Sequence, residues 1–293
     1  MPALTATSSN RVAGGTLTKY TFPSASLGGL TTAVNVYVPD GAAAAPAPVL
    51  FYLAGLTCTE DTGAQKAGLF NSAAQHGVAL VFPDTSPRGA GVDGEEADWQ
   101  LGTGAGFYID ATEEKWSKSY NMYSLITDEL PAVLGAAGLG LDFSRWSITG
   151  HSMGGHGALS IYLKNPSRFR SASAFAPIAN PAAVPWGIGA FGAYLGGESV
   201  SANPTWLEHD SSALLAGSKA APGSLHILVD VGTADQFLAA GQLTPEALEQ
   251  AAEKRGAAGE LTLRRQEGYD HSYYFISTFS PEHVAFHAKY LKA

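Results

Sequence analysis

The chain has 293 residues, 45% of them hydrophobic and 15% charged, with a formal net charge of −9. That length can bury an extensive core without disulfides or a structural metal, and the lone cysteine, Cys58, excludes an intramolecular disulfide. An acidic balance with no cluster of Lys and Arg excludes a nucleic-acid face, and no apolar run approaches the ~20 residues a membrane helix requires.

The polar start, Met1 to Arg11, lacks the cationic and apolar regions of a signal peptide, so the expected location is cytoplasmic. In chain order, Thr16–Phe22 and Thr32–Val38 are predicted as early strands, a hairpin, and the Ala- and Pro-rich Ala42–Pro48 as a turn. Val49–Leu53, Val78–Phe82, Arg145–Thr149, Ala172–Phe175 and Leu225–Val231 are predicted as buried strands, with Leu261–Arg265 a further candidate. Helices are predicted over Ala64–His76, Tyr120–Leu134, Gly154–Lys164, Pro245–Lys254 and Pro281–Leu291. Strands alternating with crossover helices imply an α/β fold with a mostly parallel, twisted central sheet flanked by helices. No repeat or long low-complexity block divides the chain, so a single domain over residues 1–293 is expected. Two loop-rich segments, 83–111 and 177–210, follow predicted strands; the second carries Trp186, Phe191, Tyr194 and Trp206. Both are expected over an active site, because α/β folds bind ligands beyond the ends of their strands.

The sharpest motif is Gly150-His151-Ser152-Met153-Gly154-Gly155, which contains G-x-S-x-G. With a chain rich in glycine the motif alone means little, but Trp146–Thr149 before it reads as a strand and Gly155–Leu163 after it as a helix. That context is the nucleophile elbow of the α/β-hydrolase fold, with Ser152 as nucleophile. A serine in so sharp a turn needs small neighbours, which Gly150 and Gly154 supply. Its hydroxyl still needs a general base.

The fold expects the order Ser, acid, His. His271 lies in a polar loop after the last predicted strand and is the expected base. His156, four residues after Ser152 on the same helix, is read as packing, and His226 as a core residue inside a strand. His283 and His287 sit four apart on the last helix; no third ligand accompanies them, so they are read as a solvated face, and no metal is expected. For the acid, Asp230 lies within a strand body and Asp235 in the loop after it; the loop position favours Asp235, which can orient the His271 ring. Asp270 adjoins His271 and cannot readily bend back to it. The oxyanion needs two N–H donors: the Met153 amide, and the Leu56 amide aimed inward by a turn at Gly55. Gly102–Gly106 is G-x-G-x-G without a strand–helix unit around it, so no dinucleotide cofactor is expected.

These residues resemble the S-formylglutathione hydrolases, the esterase D family. The resemblance is carried by Leu53-Ala54-Gly55-Leu56-Thr57-Cys58-Thr59-Glu60, by Pro83-Asp84-Thr85-Ser86-Pro87-Arg88-Gly89, and by Gly102–Tyr108 with Asp110-Ala111-Thr112. Pro185-Trp186-Gly187 with Tyr194-Leu195-Gly196, Asp235–Leu238 and Gln266–Phe275 complete it, so that it spans about residues 51 to 290. It departs at Val184, where many members carry cysteine before Pro-Trp-Gly. The resemblance implies Ser152, Asp235 and His271 as triad, Leu56 and Met153 as oxyanion donors, and Trp186 in a pocket wall. It further implies a glutathione thioester as substrate, hydrolysis to glutathione and formate in formaldehyde detoxification, no cofactor, and a homodimer. Cys58 stays open between a buried inert thiol and a thiol that gates activity when modified. A short-acyl carboxylesterase is the alternative activity, and a non-catalytic binding protein on a hydrolase scaffold the alternative class.

Overall fold

The computed structural model describes residues 2–42, 44–256 and 258–293. Its first strands, β1 (Thr5–Val12), β2 (Gly15–Pro23) and β3 (Thr31–Pro39), form an antiparallel meander. They are followed by β4 (Ala47–Leu53), β5 (Ala79–Pro83), β6 (Leu141–His151), β7 (Ala172–Phe175), β8 (Ile227–Gly232) and β9 (Leu261–Gln266). All join one sheet in the order β1-β2-β3-β5-β4-β6-β7-β8-β9. β3 meets β5 antiparallel, and every pairing from β5 to β9 is parallel. β4 is buried along its whole length, which is why it reads as a continuous apolar run: helices cover both faces of a parallel sheet. With the crossover helices, this is the α/β-hydrolase architecture.

The meander has one strand more than the predicted hairpin. β1, TATSSNRV, is exposed along nearly its whole length at the edge of the sheet, so it carries no apolar alternation by which a sequence reading finds a strand. The helix predicted over Ala64–His76 is two helices, Glu60–Lys66 and Phe70–His76. Gly68 stands between them at φ +73°. A helix over Pro185–Leu195 lies inside the segment read as loop; its proline occupies the first turn, where a missing N–H costs nothing. The last helix runs over Tyr273–Leu291, straight through Pro281. Pro281 cannot donate to the Ser277 carbonyl one turn back, and the Ser280 hydroxyl donates to that carbonyl instead, at 3.4 Å.

Three histidines depart from expectation. His283 and His287 are fully buried, not solvated. Their helix face meets a patch of hydroxyls: His283 Nδ1 and His287 Nε2 lie 2.9 and 2.7 Å from Ser173 Oγ, and His287 Nδ1 lies 2.7 Å from Ser171 Oγ. His283 Nε2 lies 3.1 Å from Asp230 Oδ2. Buried polar groups of this kind survive only when bonded to one another. His226 falls just before β8, half-buried, and its ring stacks on Tyr290 at 4.0 Å rather than entering the core.

Candidate active site

The parallel register fixes where the site forms. Leu53 pairs with Gly150, His151 with Phe175, Phe175 with Asp230 and Gly232 with Gln266. The carboxyl ends of β4, β6, β7, β8 and β9 are therefore level. The loops carrying Leu56, Ser152, Asp235 and His271 all leave from one edge of the sheet, where this class of fold places its ligands.

Ser152 sits between β6 and the helix Met153–Lys164 at φ +58°, ψ −118°, a backbone state that non-glycine residues rarely adopt. Its own groups are engaged: its amide donates to the Phe175 carbonyl at 2.9 Å, and its carbonyl accepts from His156 at 3.0 Å and Ile178 at 3.3 Å. The elbow needs glycine on both sides for space. A Cβ on Gly150 would come 2.2 Å from the Gly154 carbonyl oxygen, and one on Gly154 would come 2.0 Å from that of Leu53.

Asp235 and His271 meet. His271 Nδ1 lies 2.5 Å from Asp235 Oδ2, with the carboxylate fully buried. Asp235 Oδ1 caps the short helix Gln236–Ala239, accepting from Phe237 at 2.7 Å and Leu238 at 3.3 Å. The two loops are laced together: Thr233 donates to Gln266, Ala234 to Tyr269, and Gly268 to Thr233 Oγ1. The Phe237 ring stands edge-on to the His271 ring at 4.8 Å. Asp230, the competitor, is committed elsewhere. It accepts from Arg264 Nε at 2.7 Å, Arg264 Nη2 at 2.5 Å and Gln266 at 3.1 Å, besides its contact with His283. Burial works to raise its pKa, but hydrogen bonds from His283 and Arg264 outweigh burial and hold it at about 2.

Met153 is the first residue of its helix and fully buried, so its amide is one of the helix's orphan N–H groups. Leu56 is half-buried in the loop after β4. Among the described residues, neither amide donates to a protein acceptor. Gly55 packs directly against Ser152: a Cβ there would lie 3.2 Å from Ser152 Cβ. His156 is buried packing, with Nε2 3.1 Å from the Phe107 carbonyl. Trp186 is buried between Trp99 and Phe237, with ring centroids at 5.6 and 4.8 Å. One aromatic chain thus runs from His271 through Phe237 and Trp186 to half-exposed Trp99, linking segments 83–111 and 177–210. Cys58 is half-buried, and burial raises its thiol pKa above the ordinary value.

Two neighbours of the site have no role in the sequence reading. Phe237 follows Asp235 by two residues and packs on His271. His151 precedes Ser152; its ring lies 4.4 Å from that of His271, and neither ring nitrogen has a partner among the described residues. Burial, and then the neighbouring His271, push its pKa well down, so it is neutral. Only adjacency to the motif residues could have signalled either.

Residues 24–286 match the family model described as "Putative esterase". The S-formylglutathione hydrolase of Rattus norvegicus is 47% identical over 258 residues, 88% of each chain. That of Mus musculus is 48% identical over 259 residues, again 88% of each. A solved structure of an S-formylglutathione hydrolase from Agrobacterium tumefaciens shares 45% identity at a TM-score of 0.90, covering 98% of this chain and 99% of that one. The chain belongs to the S-formylglutathione hydrolase family of esterases.

Proposed function

We propose that the protein hydrolyses S-formylglutathione to glutathione and formate, the hydrolytic step of formaldehyde detoxification, with Ser152 as nucleophile, His271 as base and Asp235 as orienting acid. The observation that carries this reading is the buried Asp235–His271 pair, at 2.5 Å, on the sheet edge that also carries the strained Ser152. With Nδ1 held by the carboxylate, Nε2 is the nitrogen that accepts the Ser152 proton as Oγ attacks the formyl carbon. The Leu56 and Met153 amides receive the oxyanion. The C–S bond breaks and the departing sulfur takes from His271 the proton that came from Ser152, so that glutathione leaves as the thiol and the imidazole is neutral again; a thiol pKa of about 8.5 makes it a better leaving group than an amine or alkoxide. Water, deprotonated by His271, then attacks the formyl-enzyme, and formate departs as Ser152 recovers its proton. Positioning and oxyanion stabilisation suffice for so reactive an acyl group.

Trp186 and Phe237 are proposed as the wall beside the acyl group, and residues 1–293 as one catalytic domain, which the continuous sheet supports. No helix of the described residues is long and apolar enough to cross a membrane. Cytoplasm is the proposed location, because glutathione is the thiol buffer of that compartment. A homodimer is proposed from family membership and is tested by sedimentation.

Comparison of kcat/KM for S-formylglutathione, longer acyl-glutathiones and simple aryl esters tests the substrate. A clear preference for the formyl thioester is expected. Equal or better turnover of aryl esters would replace this reading with a general short-acyl esterase.

A further inference from the structure

The Leu56 amide is useful only if the loop after β4 holds it in place, and that loop is strained. Thr57, next in the chain, has φ +67°. A β-branched residue in the left-handed region is a genuine outlier, and it persists only where its surroundings over-determine it. Nothing within the loop does so; its one internal backbone bond, from Cys58 to the Gly55 carbonyl, is long at 3.3 Å.

The restraint comes from outside. The Cys58 carbonyl accepts two hydrogen bonds, from Thr85 Oγ1 at 2.5 Å and from Arg88 Nη2 at 2.8 Å. Arg88 is itself fixed by buried Asp84, with Nε 3.0 Å from Oδ2 and Nη2 2.6 Å from Oδ1. On the other side the Thr57 amide donates to the Gly104 carbonyl at 2.9 Å. Gly104 in turn donates to Ser86 Oγ at 2.8 Å, and Gly106 to the Thr85 carbonyl at 3.1 Å. The approach is close enough to need glycine at this point: a Cβ on Gly104 would lie 3.0 Å from Thr57 Cα, and its φ is +80°. The turn Pro83–Arg88 and the run Gly102–Gly106 therefore clamp the strained peptide from both ends. A charged donor on a carbonyl is the strongest of these bonds.

We propose that Arg88 is a positioning residue for the oxyanion hole, acting through the Cys58 carbonyl to keep Thr57 in its left-handed state and so to aim the Leu56 amide at the acyl oxygen. This rests on the roles given to Leu56 and Ser152 above. Arg88 touches no reacting atom. Its removal lets Thr57 relax toward an ordinary conformation and turns the neighbouring peptides with it. Transition-state stabilisation is lost while ground-state binding is kept.

The test is Arg88→Met, assayed beside the wild type with S-formylglutathione and with p-nitrophenyl acetate. Complete loss of one oxyanion donor lowers kcat by ~10²–10³-fold, so a displaced donor should lower it about 10- to 100-fold on both substrates, with KM within about threefold. The inhibition constant of a trifluoromethyl-ketone analogue of the thioester, which forms the tetrahedral oxyanion on Ser152, should rise by the same factor. Product inhibition by glutathione should not move, and millimolar guanidinium ion should restore part of the rate. Thr85→Val removes the other donor and leaves the Asp84–Arg88 pair intact. It decides the matter if Arg88→Met does not fold, with an expected kcat loss of about 3- to 10-fold in the same pattern. Wild-type kcat in a folded Arg88→Met or Thr85→Val protein overturns the inference. So does a kcat loss that leaves analogue affinity unchanged or weakens glutathione equally. Absence of wild-type turnover on both substrates would instead overturn the functional reading itself.

Discussion

His271 Nδ1 lies 2.5 Å from Asp235 Oδ2, and the same carboxylate's other oxygen caps the helix that begins at Gln236. Asn caps helices as well as Asp does, so Asp235→Asn should leave the fold intact while removing the charge proposed to fix the imidazole tautomer. An Asp-to-Asn change of this kind in a serine protease lowers kcat by about 10⁴. A fall of about 10³–10⁴ is expected here, with the melting temperature nearly unchanged. A loss below about tenfold would show that Asp235 does not orient the base.

Cys58 is raised in pKa chiefly by burial, against hydrogen bonding with Thr62 and Tyr273 that works the other way. The thiolate is the reactive form, so less of it exists at pH 7 than in a free cysteine. Alkylation by iodoacetamide should be slower than for glutathione and should accelerate as pH rises above 9. Cys58→Ala should turn over within about threefold of wild type, since only the Cys58 carbonyl is tied into the clamp. Rapid alkylation at pH 7 that stops turnover would favour the gating thiol.

Asp230 is fully buried and bound to Arg264, Gln266 and His283. Asp230→Asn weakens the charged hydrogen bonds from Arg264, which is part-exposed and keeps Glu282 as a partner, a change expected to cost about 1.5–3 kcal/mol. Urea unfolding should show a loss of that order, while kcat of the folded protein stays within a few-fold. A collapse of kcat without loss of stability would give Asp230 a part in the chemistry.

His156 is fully buried, and its pKa is lowered from 6.5 to about 4, mainly by burial. Between these values the unfolded chain binds a proton that the folded chain refuses, so stability falls as pH drops. The contribution is complete above pH 6.5 and lost progressively down to about pH 4, amounting to about 3 kcal/mol. His156→Gln should make the pH dependence of the unfolding free energy shallower across that window. An unchanged slope would show that His156 is not a source of acid sensitivity.

The elbow was legible because its signal is local: Gly150 and Gly154 stand where a Cβ has no room, and strand and helix adjoin in sequence. The Asp235–His271 pairing was legible because topology puts both in loops at one end of adjacent parallel strands. β1 was not, since an exposed edge strand has no apolar face to display. Nor was the burial of His283 and His287, whose partners Ser171 and Ser173 lie more than 100 residues earlier in the chain. A polar pair one turn apart on a helix looks solvated until the sheet beneath it is known to carry hydroxyls. The link from Arg88 to Cys58 was hidden for the same reason. Both motifs were visible, but the hydrogen bond joins them only through the fold.

The central claim is that Ser152 Oγ attacks the acyl carbon. Ser152→Ala, checked for unaltered circular dichroism and melting, should hydrolyse S-formylglutathione at least about 10³-fold more slowly than wild type, leaving only what the amides and binding supply. A folded Ser152→Ala protein that retains more than a tenth of wild-type kcat would contradict the account.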